Sequence, residues 1–143
     1  MPRYEKILVL VDLTGASEQV ASAGRDVAAS FGASLVLLHV VEYVPVEPLG
    51  ESLMPTVQIE GELLERSRVK LEELVGRLGL EKVTARVEAG NTKSEILRVA
   101  GEESADLIVL GGRERHGPGI LLNFTEDTVL HAAHCDVLAI RLK

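Results

Sequence analysis

Apolar residues along this chain fall into two rhythms. Runs at 7–11, 35–41, 107–110 and 137–140 are nearly continuous in valine, leucine and isoleucine, the pattern of strands buried on both faces of a parallel sheet. A fifth run, Val83-Thr84-Ala85-Arg86-Val87, alternates apolar and polar residues and reads as an edge strand. Between these runs the spacing lengthens to that of helices. Residues 17–31 are alanine-rich and stop at Gly32, a candidate C-cap. Residues 59–78 set Leu63, Leu64, Leu71, Leu74, Val75 and Leu78 on one face, with Glu60, Glu62, Glu65, Glu72 and Glu73 turned to solvent. Residues 92–103 open with Thr92 and Glu95 in capping-box spacing. Residues 125–133 form a short fourth helix.

This strict alternation predicts an α/β fold: a single-domain, doubly wound, five-stranded parallel sheet with helices on both faces and right-handed crossovers. Two segments break the rhythm. Residues 43–56 contain Pro45, Pro48 and Pro55 and cannot be helical throughout. They predict a long loop, either a lid or partner-docking surface or a tolerated insertion. Residues 111–123 contain Gly111, Gly112, Gly117 and Gly119 just after the fourth strand. No repeat or linker divides the chain, so 1–143 reads as one domain.

Charge removes one class of partner. The net charge of −7 repels a phosphate backbone, and no Lys/Arg cluster offsets it, so no nucleic-acid binding is expected. The lone cysteine, Cys135, forms no internal disulfide and suits a reducing cytoplasm. The opening residues lack a signal-peptide pattern. No apolar run is long enough to span a bilayer, so no membrane insertion is expected. A G-x-S-x-G elbow and a C-x-x-C pair are both missing, which argues against an enzyme. His131, His134 and Cys135 lie close in sequence with no fourth ligand in view, so no metal is expected. His39 sits within a strand run and reads as a core histidine.

Open parallel sheets bind ligands beyond the carboxyl ends of their strands, where strand order reverses. That rule selects Asp12 after the first strand, the backbone of Val41 at the end of the second, and Gly111, Gly117 and Gly119 in the loop after the fourth. Asp12 is a candidate for ribose or metal, and equally for capping the following helix. Thr14 reads as a turn or cap residue rather than a phosphate contact. The glycines either present backbone N–H groups to phosphate or serve sharp turns.

The residues Ile7-Leu8-Val9-Leu10-Val11-Asp12-Leu13-Thr14 resemble the opening strand and aspartate of universal stress proteins. Leu37-Leu38-His39-Val40-Val41 is similar to their second strand, Ala105-Asp106-Leu107-Ile108-Val109-Leu110-Gly111 to their fourth, and Ala133-His134-Cys135-Asp136-Val137-Leu138-Ala139-Ile140 to their last. The resemblance implies a sheet order of 3-2-1-4-5 and a homodimer through the last strand. The composition of that strand agrees, since it is an edge with an apolar middle and invites pairing about a two-fold axis. Nucleotide-binding members carry G-x2-G-x9-G followed by Ser or Thr. Gly111 matches the first glycine and Thr125 the hydroxyl residue, while Glu114 and Phe124 stand at the other two glycine positions. A carboxylate repels phosphate, and a phenylalanine blocks the close backbone approach that glycine permits.

The expectation is therefore a dimeric binding and regulatory protein of the stress response, acting on a protein partner that the sequence does not name. It has little or no ATP affinity and no cofactor. An alternative is a switch in which ATP or AMP, with Mg, alters the 43–56 loop. A third reading is a flavodoxin-like electron-transfer enzyme on the same architecture.

Overall fold

Five strands share one parallel sheet: β1 (Lys6–Leu10), β2 (Ser34–Val41), β3 (Val83–Ala89), β4 (Leu107–Arg113) and β5 (Asp136–Leu142). β1, β2 and β4 carry the runs buried on both faces, whereas β5, expected to be buried likewise, is only partly covered because it ends the sheet. Their order is β3-β2-β1-β4-β5. The helices between them are α1 (Ser17–Phe31), α2 (Met54–Leu78), α3 (Thr92–Glu102) and α4 (Phe124–Ala132). The computed structural model describes residues 3–42, 54–80, 82–113 and 124–142, without the side chains of 54–60, 113 and 124–127. The 43–53 part of the expected loop, and Glu114, Gly117 and Gly119, lie outside these residues.

Alternation along each strand divides the core in two. Ile7, Val9 and Val11 share one face with Leu35, Leu37 and Val109, covered by Val20, Ala21 and Ala28 of α1 and Leu71 and Leu74 of α2. Leu8, Val36, Leu38, Ile108 and Leu110 share the other, under Ile96 and Val99 of α3 and Val129 of α4. Helix α1 lies unusually close to β1 because Gly24 has no side chain: a Cβ there would stand 2.5 Å from Cγ2 of Val9. At the start of β1, the Asp106 carboxylate accepts the backbone N–H groups of Glu5 (2.8 Å) and Lys6 (3.2 Å), pinning it to the approach of β4.

The alternating strand is indeed an edge. Val83 and Val87 of β3 pack toward α2. On the strand's other face, Arg86 donates to Glu88, Glu102 and Glu103 at 3.0–3.2 Å. Arg98 of α3 joins the cluster through Glu88, Glu95 and Glu102. Its guanidinium, donating to Glu95, holds that carboxyl below the usual range, and Glu102 is lowered by Arg86 and Arg98 together. A carboxyl depressed in the folded state stabilises above its unfolded pKa, and that contribution is lost as pH falls through the folded value. Melting temperature is therefore expected to hold above about pH 5 and to fall steadily below it. Arg86→Gln should melt well below the parent at neutral pH, with the gap narrowing on acidification. A gap that stays constant across a pH series of melts would contradict this account.

Several element boundaries differ from the sequence-based expectation. Helix α2 begins at Met54 rather than at 59, because proline in a first turn loses no hydrogen bond that the helix would have made. Helix α3 is capped by Asn91, not Thr92: the Asn91 side chain accepts the Ser94 N–H at 3.1 Å. The Thr92 N–H is taken by the Glu42 carboxylate at 2.9 Å, and Glu95 turns to Arg98 instead of reaching back. Glu103 becomes the C-cap. Gly32 caps α1 as expected, in the left-handed conformation at φ 66°. Glu62, Glu65, Glu72 and Glu73 are exposed on α2. Among the described residues, no helix is long and apolar enough to cross a membrane.

Candidate functional site at the carboxyl ends of the strands

β1 and β4 are neighbours in the sheet, and connections leave them in opposite directions, so the reversal of strand order falls between them. Asp12 follows β1 at this point. Its Oδ1 accepts the Thr14 N–H at 3.1 Å, the Thr14 hydroxyl at 2.7 Å and the Ser17 hydroxyl at 3.0 Å. The carboxylate thus closes an Asx-type turn and reaches the first residue of α1. It does so without being the N-cap, a position held by Ala16 with no side-chain bond. Leu13, between Asp12 and Thr14, has φ 59°. For a leucine this left-handed backbone costs about 1–2 kcal/mol and persists only where its surroundings hold it.

Val41 ends β2, is buried, and its carbonyl accepts the Gly90 N–H at 3.0 Å. Glu42 follows, and its carboxyl is held below the usual range chiefly by the Thr92 backbone N–H at the start of α3. An anion therefore already occupies this helix N-terminus, supplied by the chain itself.

Gly111 differs from the sequence-based expectation. The fourth strand does not stop at Leu110: β4 runs on to Arg113, and Gly111 pairs with Ile140 of β5. A Cβ at Gly111 would stand 2.8 Å from Cδ1 of Leu142 and 3.0 Å from Cγ2 of Val20. The glycine makes room for α1 and β5 inside the layer. Thr125 is the second residue of α4, and Phe124 the first. The structure thus brings Asp12, Val41 and Gly111 to one end of the sheet.

Sequence reasoning misses two participants. Glu42 gives no signal beyond its place after a strand. His39 reads as core from the sequence; it is half-buried, and its Nδ1 lies 2.8 Å from the Val11 carbonyl oxygen. Elsewhere, a cavity of about 440 Å³ between α3 and α4 is lined by Leu97, Ile108, Ala133 and Cys135. It opens at the amino ends of the strands, away from Asp12. Burial, then Asp136 and Asp106, pushes the Cys135 thiol up, so it stays protonated. Among the described residues, no group of three or more His, Cys, Asp or Glu side chains is placed to hold a metal.

The Universal stress protein family model matches residues 3–141. Universal stress protein A homolog 2 of Coxiella burnetii is 34% identical over 144 residues, covering 100% of this chain and 99% of that protein. Homolog 1 of the same organism is 34% identical, covering 98% of each chain. Among solved structures, the universal stress protein UspA of Lactobacillus plantarum superimposes with a TM-score of 0.75 at 24% identity, over 97% of this chain and 99% of that one. A universal stress protein in complex with cAMP gives a TM-score of 0.71 at 19% identity, over 96% and 97%.

Proposed function

Because this chain belongs to the universal stress protein family, we infer that it acts as a dimeric binding and regulatory protein of the stress response, not as an enzyme, with a crevice that holds ATP weakly or not at all. The observation that carries this reading is the packing at Gly111. The first glycine of a nucleotide loop brings bare backbone to a phosphate. In this chain the missing side chain accommodates Leu142 and Val20, which accounts for the glycine without a ligand. Glu114 and Phe124 at the next two glycine positions add charge and bulk that phosphate binding does not tolerate. The net charge of −7 acts in the same direction. The lone cysteine supports a cytoplasmic setting.

Dimerisation through β5 is supported by that strand's edge position and by the incomplete burial of Val137, Leu138, Ile140 and Leu142. Leu130, 57% exposed, lies beside it, in a groove shared with Tyr4, Phe31 and Leu138. An apolar open edge of this kind recruits a strand, and a two-fold axis supplies one from a second copy. The regulatory role then falls to a protein partner met by the remaining surface.

A second reading is a nucleotide-responsive switch, in which ATP or AMP, with magnesium neutralising the phosphates, binds beside Asp12 and Val41. The solved relative in complex with cAMP supports it, as does the gathering of Asp12, Val41 and Gly111 at one end of the sheet. Thermal melts with millimolar Mg-ATP, AMP and cAMP separate the two. Occupancy at a hundred times the dissociation constant adds about 2.7 kcal/mol, a rise of about 5–10 °C at this size. The leading reading expects no rise of that order with Mg-ATP, and a rise would install the switch in its place.

A further inference from the structure

We propose that His39 is the positioning residue of the crevice: by donating from Nδ1 to the Val11 carbonyl it fixes the strained turn that carries Asp12. The register between β1 and β2 ends at Leu10 opposite Leu38. One residue later the Val11 N–H still donates to the Leu38 carbonyl at 2.9 Å, and the Val11 carbonyl takes the imidazole at 2.8 Å. A side chain of β2 thus completes the attachment where β1 leaves the sheet.

A carbonyl only accepts, so Nδ1 must carry the proton, and Nε2 is the lone-pair nitrogen of the neutral ring. The turn beyond Val11 needs such a peg. Leu13 is left-handed at φ 59°, a conformation that relaxes unless held from both sides. On its far side, Asp12 Oδ1 ties Thr14 and Ser17. On its near side the His39 bond is the side-chain tie, beside the backbone bond from Val11 to Leu38. Any ligand entering beside Asp12 meets a carboxylate whose position these two ties set together.

This rests on the reading of the strand ends as the crevice, but its test needs no bound nucleotide, so it succeeds or fails separately from the ATP measurement. Nitrogen shifts of the imidazole in the unsubstituted protein are expected to show Nδ1 protonated in the neutral ring. Hydrogen exchange supplies the second measurement. In His39→Leu the Val11 amide should exchange roughly tenfold faster, while Leu8 and Val9 in the same strand keep their rates. His39→Asn, whose amide N–H lies the same number of bonds from the backbone as Nδ1, should restore the Val11 rate and the amide shifts of Thr14 and Ser17. An unprotonated Nδ1, an equal loss of protection along all of β1, or a folded asparagine variant that rescues nothing would each overturn the assignment. If the leucine variant does not fold, the tautomer and the asparagine variant decide it.

Discussion

Gly24→Val is expected to lose about 3 kcal/mol of stability, at the top of the range for overpacked cores. The added Cβ alone would stand 2.5 Å from Cγ2 of Val9, and a branched residue brings two further methyls to the same place. Relief is blocked on both sides. Val9 is fully buried and stiff at χ1, and its strand is held by β2 and β4. Helix α1 cannot back away without opening the contacts of Val20, Ala21 and Ala28. The better helix propensity of valine over glycine offsets only a few tenths of a kcal/mol. Adding Val9→Ala should recover part of the loss, leaving the double variant more stable than Gly24→Val alone, with a coupling of about 1 kcal/mol or more. Denaturant melts of the four proteins measure it. A neutral Gly24→Val, or strictly additive losses, would mean that the helix does not approach the strand this closely.

Ala139→Glu is expected to convert the proposed dimer into monomers without unfolding them. Ala139 is the middle residue of β5, and exposed, so a carboxylate there costs the single chain little. In an antiparallel pair of β5 strands about a two-fold axis, the middle of the strand meets its own copy. Two carboxylates then face each other across the pairing, an arrangement that opposes association. Light scattering on eluting protein at micromolar concentration should give twice the chain mass for the parent and once for the variant, with melting behaviour of the variant otherwise intact. Ala139→Ser should remain dimeric. A parent of single mass removes the dimer; a variant that stays dimeric moves the interface away from the centre of β5.

Much of the fold is legible in the sequence because burial on both faces leaves little freedom in a strand's composition. β1, β2 and β4 announce themselves this way as apolar runs, and β5 is as apolar in its middle although it is only partly covered. β3 alternates because one face meets α2 while the other carries Arg86 and Glu88. The failures come where a local signal is decided by something remote. Thr92 and Glu95 match a capping box, yet Asn91 and Ser94 satisfy the helix equally well locally. The choice is made by Glu42, at the end of β2, which takes the Thr92 N–H. Gly111 fits a loop motif, but its space is claimed by Leu142 and Val20, one from the last strand and one from the first helix. Pro55 has the look of a breaker and is a first-turn residue. His39 is recognisable as a strand residue, and no sequence pattern could name the Val11 carbonyl as its partner.

The two edges of the sheet are unlike, and this limits how many chains can join. β5 offers apolar residues to an incoming strand, whereas β3 carries Arg86 and Glu88, already engaged with Glu102, Glu103 and Arg98, and charged edges discourage pairing. A sheet receptive at one end has a valence of one. When two such chains meet at β5, both outer ends of the doubled sheet are β3, and the assembly has no site left for growth. Raising the concentration would then increase the number of pairs and never their length, so the apolar edge proposed for pairing would not lead to fibres.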